Sequence, residues 1–298
     1  MPHWASIASQ GVREPDLNEA NALAEQRQRA RAARDFALAD ELRNRIAAAG
    51  FEVHDTPGGY ELVPAGAPTP AVSVLVDLEG WPEDAARFLV SLANHRACTV
   101  EVIAVDRRAG DRPSGWADGW DGPAQTLDAD ATTGFGAARN LALAAATGAV
   151  VMLVDTSLEV TGDLLGALIS ALDDPRVAVA GPFGLTTADL FDYEERTTGD
   201  VAIIQGYCLA ARRADLVSAG GVRESFTFYR NADIDVSLRL RTLGESVRRA
   251  VAVGAEHCRR HPHRAWEATP PEERDRLSRR NMRRVHDRFL GRQDLTVS

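Results

Sequence analysis

Val150-Val151-Met152-Leu153-Val154-Asp155 is a run of five apolar residues that ends on a carboxylate. An uninterrupted apolar run this short, with no polar alternation, predicts a strand buried on both faces. Runs broken by a single polar residue recur upstream in Val72-Ser73-Val74-Leu75-Val76 and in Val100-Glu101-Val102-Ile103-Ala104-Val105-Asp106, and an unbroken one lies downstream in Val177-Ala178-Val179-Ala180. Helical stretches stand between these runs, over Pro82–His95, from about Gly136 to Thr147, and near Asp163 to Leu172. Buried strands alternating with helices predict an α/β domain, its sheet mainly parallel and covered on both sides. In such sheets ligands bind beyond the carboxyl ends of the strands, where this chain places Asp106 and Asp155.

The 298 residues are enough for one large core plus an appendage. The appendage comes first. Residues Asp16 to Ala49 read as two helices. Asp16 caps the first, with Glu19 three residues on. Asp35 caps the second, and Gly50 ends it. Phe36, Ala39, Leu42 and Ile46 recur at helical spacing and predict one buried stripe. Phe51–His54 and Tyr60–Val63 alternate apolar and polar around Pro57-Gly58-Gly59, which predicts a β-hairpin. The stiff stretch Pro64–Pro70 is a linker. The expected division is a helical-hairpin and β-hairpin module over 1–63, a linker over 64–70, and the α/β domain over 71–298.

A formal charge of −9 argues against general polyanion binding, although all 34 basic residues are arginines. Cys98, Cys208 and Cys258 are too few and too scattered for a disulfide framework, so a reducing compartment is expected. Met1–Arg13 has no apolar core of a secretory signal, and no apolar run reaches the roughly 20 residues of a membrane span. The expectation is a cytoplasmic protein.

Several constellations carry chemistry. Asp106 and Asp155 offer acceptors for a base or ribose and ligands for a divalent ion; alone, either also serves as a turn or helix cap. Gly134-Phe135-Gly136-Ala137-Ala138-Arg139-Asn140 opens a helix without the third glycine of a dinucleotide fingerprint; it reads either as a helix start packed closely against the sheet or as one that places Arg139 toward a nucleotide or phosphate. In Ala232-Asp233-Ile234-Asp235-Val236, Asp233 falls in the first turn of a helix that buries Val236 and Leu240. Such a carboxylate takes a proton from a hydroxyl only if held close to it; the alternative is that Asp233 supports the helix dipole and nothing more. Asp235 has Arg239 four residues on. The cluster from Glu256 to His263 is rich in histidine but lacks a second ligand pair for zinc. The tail helix starts in the capping box Thr269-Pro270-Pro271-Glu272, carries many arginines, and has a narrow stripe of Met282, Val285 and Phe289. It reads as a solvated helix packed over the domain; the alternative is weak peripheral contact with anionic lipid.

Taken in order, these pieces resemble the family-two glycosyltransferases of the GT-A fold. The resemblance rests on Val72–Val76, Val105-Asp106, Gly134…Ala138-Arg139-Asn140, Leu153-Val154-Asp155, Gly206…Arg212-Arg213, Gly220-Gly221…Phe226, Asp233-Ile234-Asp235…Arg239-Leu240-Arg241 and His257. It implies a nucleotide-diphosphate sugar as donor and an acceptor hydroxyl of unknown identity. It implies that Asp106 meets the nucleobase, that Asp155 opens an Asp-x-Asp motif at the nucleotide and metal, and that Asp233 is the base of an inverting transfer. His257 would help to hold the diphosphate or a manganese or magnesium ion. Arg139, Ser157 and Asp235 fall at the same nucleotide-sugar site. The chain departs from the pattern in Asp155-Thr156-Ser157, which lacks the second carboxylate, and in Ala232-Asp233, Asp106-Arg107-Arg108 and Asp77-Leu78-Glu79. The missing acids motivate a second reading, a non-catalytic nucleotide-sugar-binding scaffold.

The appendage resembles the C-terminal helical segment of cysteinyl-tRNA synthetases, through Arg27…Ala30-Arg31…Arg34-Asp35-Phe36…Ala39-Asp40…Arg43, Gly50-Phe51, Asp55-Thr56 and Gly59. Glu19 to Gly50 carries six arginines against five acids, a weak footprint for RNA, so a docking or stabilising module is expected.

Overall fold

The apolar runs become the centre of one sheet. The structure, a computed structural model, describes residues 17–49, 51–56, 59–64, 70–78, 81–107 and 115–298. The Asp16 cap, the Gly50 helix end, the Pro57-Gly58 turn, linker residues 65–69, Glu79 and Arg108 lie outside them. The chain forms two compact units, residues 1–68 and 69–298.

In the first unit, α1 (Leu17–Ala32) and α2 (Phe36–Ala48) precede an antiparallel hairpin of β1 (Phe51–Thr56) and β2 (Gly59–Pro64). Asp35 caps α2 by accepting the Leu38 N–H at 3.1 Å. Ala20, Leu23, Leu42, Ile46, Phe51 and Val53 form the core. Phe36 does not join the stripe expected of it; it is 60% exposed. At about 3.6 residues per turn, Ala39, Leu42 and Ile46 fall within about 60° of arc, and Phe36 lies roughly 60° beyond it. The buried Arg27 donates twice to Asp55, at 2.6 and 3.0 Å, which ties α1 to the hairpin and holds the Asp55 carboxyl below its ordinary range.

The second unit runs β3 (Val72–Leu78), α3 (Pro82–Asn94), β4 (Val100–Asp106), β5 (Ala124–Asp128), α4 (Phe135–Ala145), β6 (Val150–Val154), β7 (Leu158–Val160), α5 (Leu164–Asp173) and β8 (Val177–Gly181). The short strands β9 (Gly184–Thr186), β10 (Glu194–Arg196), β11 (Thr198–Val201) and β12 (Ile203–Ile204) follow. Then come β13 (Cys208–Arg212), α6 (Arg213–Ser218), α7 (Ala232–Arg241), β14 (Arg249–Val253), β15 (Cys258–Arg260), α8 (Arg264–Ala268) and α9 (Pro271–Phe289).

The main sheet has the order β11-β14-β8-β13-β6-β3-β4-β5. Neighbouring pairs are parallel except where β13 lies antiparallel between β6 and β8 and where β11 edges β14. Alternation along each strand sends side chains to two core layers. Leu75, Ile103 and Leu153 pack beneath α4, α7 and α9; Val74, Val102 and Met152 pack beneath α3 and α5. Each such buried aliphatic side chain contributes about 1.5–3 kcal/mol. The tail helix α9 belongs to the first layer through Val285 and Phe289. Among the described residues, no helix is long and apolar enough to cross a membrane.

Candidate active site

Strand register levels the carboxyl ends of the sheet. Leu78 pairs with Asp106, Asp106 with Asp128, and Val76 with Val154. Because β13 is antiparallel and starts with Cys208 opposite Val154, the residues before it, Gln205-Gly206-Tyr207, reach the same rim. A cavity of about 660 Å³ opens there.

Asp155 leaves β6 at its floor. Its N–H donates to Tyr207 O at 3.0 Å. Its Oδ1 accepts the Ser157 N–H at 2.8 Å, and its Oδ2 is in direct contact with His263 Nε2. Burial pushes the Asp155 carboxyl up, but His263 and the Ser157 N–H outweigh it and hold it below its ordinary range. His263 is the cap of α8. Its Nδ1 accepts the Trp266 N–H at 3.1 Å, and its ring stacks on Tyr229 with centroids 4.5 Å apart.

Asp233 stands on another wall, in the first turn of α7. Its Oδ2 accepts the Gly206 N–H at 2.8 Å and its Oδ1 the Ile234 N–H at 3.0 Å. The left-handed Asn231, at φ 66°, turns the chain into this helix. Burial raises the Asp233 carboxyl above its ordinary pKa despite these two N–H donors and nearby Arg230.

Arg139, 6% exposed, borders the cavity from α4 and donates to Leu75 O at 2.6 Å and Val154 O at 2.9 Å. It thereby ties the middle of β3 to the end of β6 as well as carrying a cation at the cavity border. Asp77 and Arg107 close the neighbouring strand ends with two hydrogen bonds of 3.1 and 2.7 Å.

The structure thus brings Asp155, Arg139 and Asp233 to one cavity and does not bring the other sequence candidates to its lining. Asp106 is 1% exposed within the end of β4. Ser157 is 3% exposed, its backbone engaged by Asp155 and by the His261 N–H. Asp235 is fully buried on the other side of α7, where it pairs with Arg239 Nε at 2.7 Å and Arg223 Nη1 at 3.2 Å. His257 packs against Gly162 and beside Glu256. The histidines that do line the cavity are His261 and His263. The only signal for them in the sequence is membership of the same Glu256–His263 cluster.

Residues 79–234, just over half of the chain, match Glycosyl transferase family 2, and residues 14–61 match the Cysteinyl-tRNA ligase anticodon binding domain. A cysteine–tRNA ligase of Nitratidesulfovibrio vulgaris (strain DP4) is 52% identical over 44 residues, 15% of this chain and 9% of that protein. Its counterpart in Opitutus terrae is 55% identical over 47 residues, 16% of this chain and 10% of that protein. The chain therefore spans no more than 10% of the curated relatives it matches. Among solved structures, GalNAc-T7 with UDP, GalNAc and Mn2+ superposes with a TM-score of 0.59 at 14% identity, covering 74% of this chain and 48% of that one. Mannosyltransferase PcManGT from Pyrobaculum calidifontis, in complex with GDP-Man and Mn2+, gives 0.52 at 18% identity, covering 84% and 70%. At these identities the likeness is one of fold, and the expected GT-A architecture is borne out.

Proposed function

This chain belongs to glycosyl transferase family 2, and from that premise we propose that it moves a sugar from a nucleotide-diphosphate donor to an acceptor hydroxyl with inversion. Asp233 takes the hydroxyl proton. The hydroxyl oxygen attacks the anomeric carbon, and the bond from that carbon to the diphosphate oxygen breaks. The nucleoside diphosphate leaves.

One observation carries this reading: a carboxylate pinned by two backbone N–H groups lines the same strand-end cavity as Asp155 and Arg139. The two donors fix its orientation, and burial makes it a stronger proton acceptor than an exposed aspartate. Asp155 and Arg139 serve the nucleotide side of the cavity.

The test is Asp233→Asn assayed against a panel of nucleotide sugars. Transfer should fall by about 10²- to 10⁴-fold while donor affinity stays within a few-fold of wild type. Undiminished transfer would remove Asp233 as the base. A second reading, a nucleotide-sugar-binding scaffold, is favoured by Ser157 and Ala232 at the two positions where acids are expected. Donor binding with neither transfer nor donor hydrolysis in the wild type would select it.

For the first unit we propose a docking or stabilising role. Its helices expose Arg29, Arg31, Arg43 and Arg45 interleaved with Glu25, Asp40 and Glu41, a mixed surface rather than a basic stripe.

A further inference from the structure

The sequence resemblance implies a divalent ion at Asp155 and His257. The side chains present do not fit one. Position 157 offers a neutral, buried serine in place of a carboxylate. His257 is outside the cavity lining. Glu159, the nearest acid along the chain, is engaged by His261 at 2.6 Å and by Arg259 at 3.7 Å. Among the described residues, no three His, Cys, Asp or Glu side chains converge as a ligand set.

His263 supplies the sharpest observation. A metal-bound imidazole presents a lone pair to the ion and donates its other ring N–H to an acceptor. Here the roles are reversed. The Nδ1 accepts the Trp266 N–H, so its lone pair is committed and the ring proton sits on Nε2, facing Asp155. Asp155 is likewise engaged at both oxygens, by the Ser157 N–H and by His263. Turning His263 into a ligand requires its proton to move to Nδ1, which sets two N–H groups against each other at the start of α8.

The cavity's charges point the same way. Of its three carboxylates, Asp77 is paired with Arg107 and Asp155 with His263, while Asp233 accepts the Gly206 and Ile234 N–H groups. Arg230 lines the wall near Asp233, its guanidinium 5.5 Å from the centre of the Trp266 ring, with no carboxylate in ion-pair contact among the described residues. With two of its three acids paired and an arginine at its rim outside any ion pair among the described residues, the cavity holds a cationic group that an anion can meet.

We infer that this chain holds the donor's diphosphate directly, with Arg230 as its counter-charge and no bridging divalent ion. The inference rests on the donor reading above and adds that the protein, not a metal, meets the leaving group's charge. Guanidinium binds a diphosphate with paired, charge-assisted hydrogen bonds, which an exposed, unpaired arginine makes without first breaking an ion pair.

The test is calorimetric titration of the full chain with UDP and with GDP, once in EDTA and once with manganese. The dissociation constant of the nucleotide that binds should agree within about threefold between the two buffers, and Arg230→Gln should weaken it roughly tenfold in EDTA. In parallel, the electron paramagnetic resonance signal of free manganese should keep its amplitude when protein is added. Nucleotide binding seen only with manganese overturns the inference and leaves the donor reading standing. So does loss of the free-manganese signal that Asp155→Asn or His263→Ala restores. Binding of neither nucleotide in either buffer removes the donor reading and the inference together.

Discussion

Arg239→Met tests whether α7, the helix that presents Asp233, is fastened from inside the fold. Arg239 is 5% exposed and donates to Asp235 Oδ2 at 2.7 Å, to Gly221 O at 2.7 Å and to Ala219 O. Methionine matches much of its length but leaves the buried Asp235, among the described residues, with only Arg223, at 3.2 Å, as an ionic partner. Removing one member of a buried ion pair costs about 3–5 kcal/mol, and each orphaned carbonyl adds roughly 1 kcal/mol where water does not reach it. Arg223 retains part of the pairing, so a loss of about 4 kcal/mol is expected. For a unit of this size, 1 kcal/mol moves the melting temperature by about 2–4 °C, so the loss corresponds to about 8–16 °C. Scanning calorimetry measures the shift, and a urea titration at 25 °C measures the free energy directly. The double variant Asp235→Leu, Arg239→Met removes both charges and should regain most of the loss, because an apolar pair needs no compensation. A shift under about 2 °C for the single variant, or a double variant no more stable than the single, would refute the fastening argument. Below its melting temperature Arg239→Met should bind nucleotide like wild type. A selective loss of affinity at unchanged stability would return Asp235 to the nucleotide site.

Gly136→Ala places a methyl 2.3 Å from Arg223 O and 2.8 Å from Arg223 C, both backbone atoms that cannot swing aside. The clash, about 1–3 kcal/mol, should exceed the roughly 1 kcal/mol that alanine gains in a helix, so the melting temperature falls; a rise refutes it. Asp233→Asn should also change the pH dependence of stability. The folded-state pKa of Asp233 is raised, so ionising it costs stability as pH climbs through that value, and the cost is absent below the ordinary carboxyl pKa. The melting-temperature difference, variant minus wild type, should therefore grow with pH above the ordinary carboxyl range and then level off. A pH-independent difference sinks this account of the buried carboxylate.

Much of the sheet was legible because a strand buried on both faces is apolar almost throughout, and its polar exceptions, such as Ser73 and Glu101, bond each other. That pattern marks β3, β4, β6 and β8, and the cap predicted at Asp35 forms. β5 escapes the same reading because it edges the sheet and is half-exposed, so it carries no apolar run. The direction of β13 is invisible locally, since Cys208-Leu209-Ala210-Ala211 would look the same parallel or antiparallel. In the candidate site, Asp155 and Asp233 were legible as a strand end and a helix start, and both line the cavity. The histidine was not. From β14 the chain passes through a short 3-10 turn at Ala255–His257, and β15 then pairs with β7. Which histidine reaches Asp155 is set by that path, not by spacing in the cluster. Asp235 misleads for a related reason: two residues along a helix turns a side chain to nearly the opposite face.

The antiparallel strand between β6 and β8 also sets when the site exists. Until residues 208–212 slot in, β6 and β8 have no shared neighbour, and Gly206 has no fixed position from which to bind Asp233. Its two flanking strands leave the ribosome earlier and wait with open hydrogen-bonding edges, the condition under which chains pair wrongly or aggregate. Most local structure can therefore form before the protein is competent to bind anything. In refolding, recovery of helical circular dichroism should run ahead of recovery of nucleotide binding, with insertion of β13 as the step that separates them.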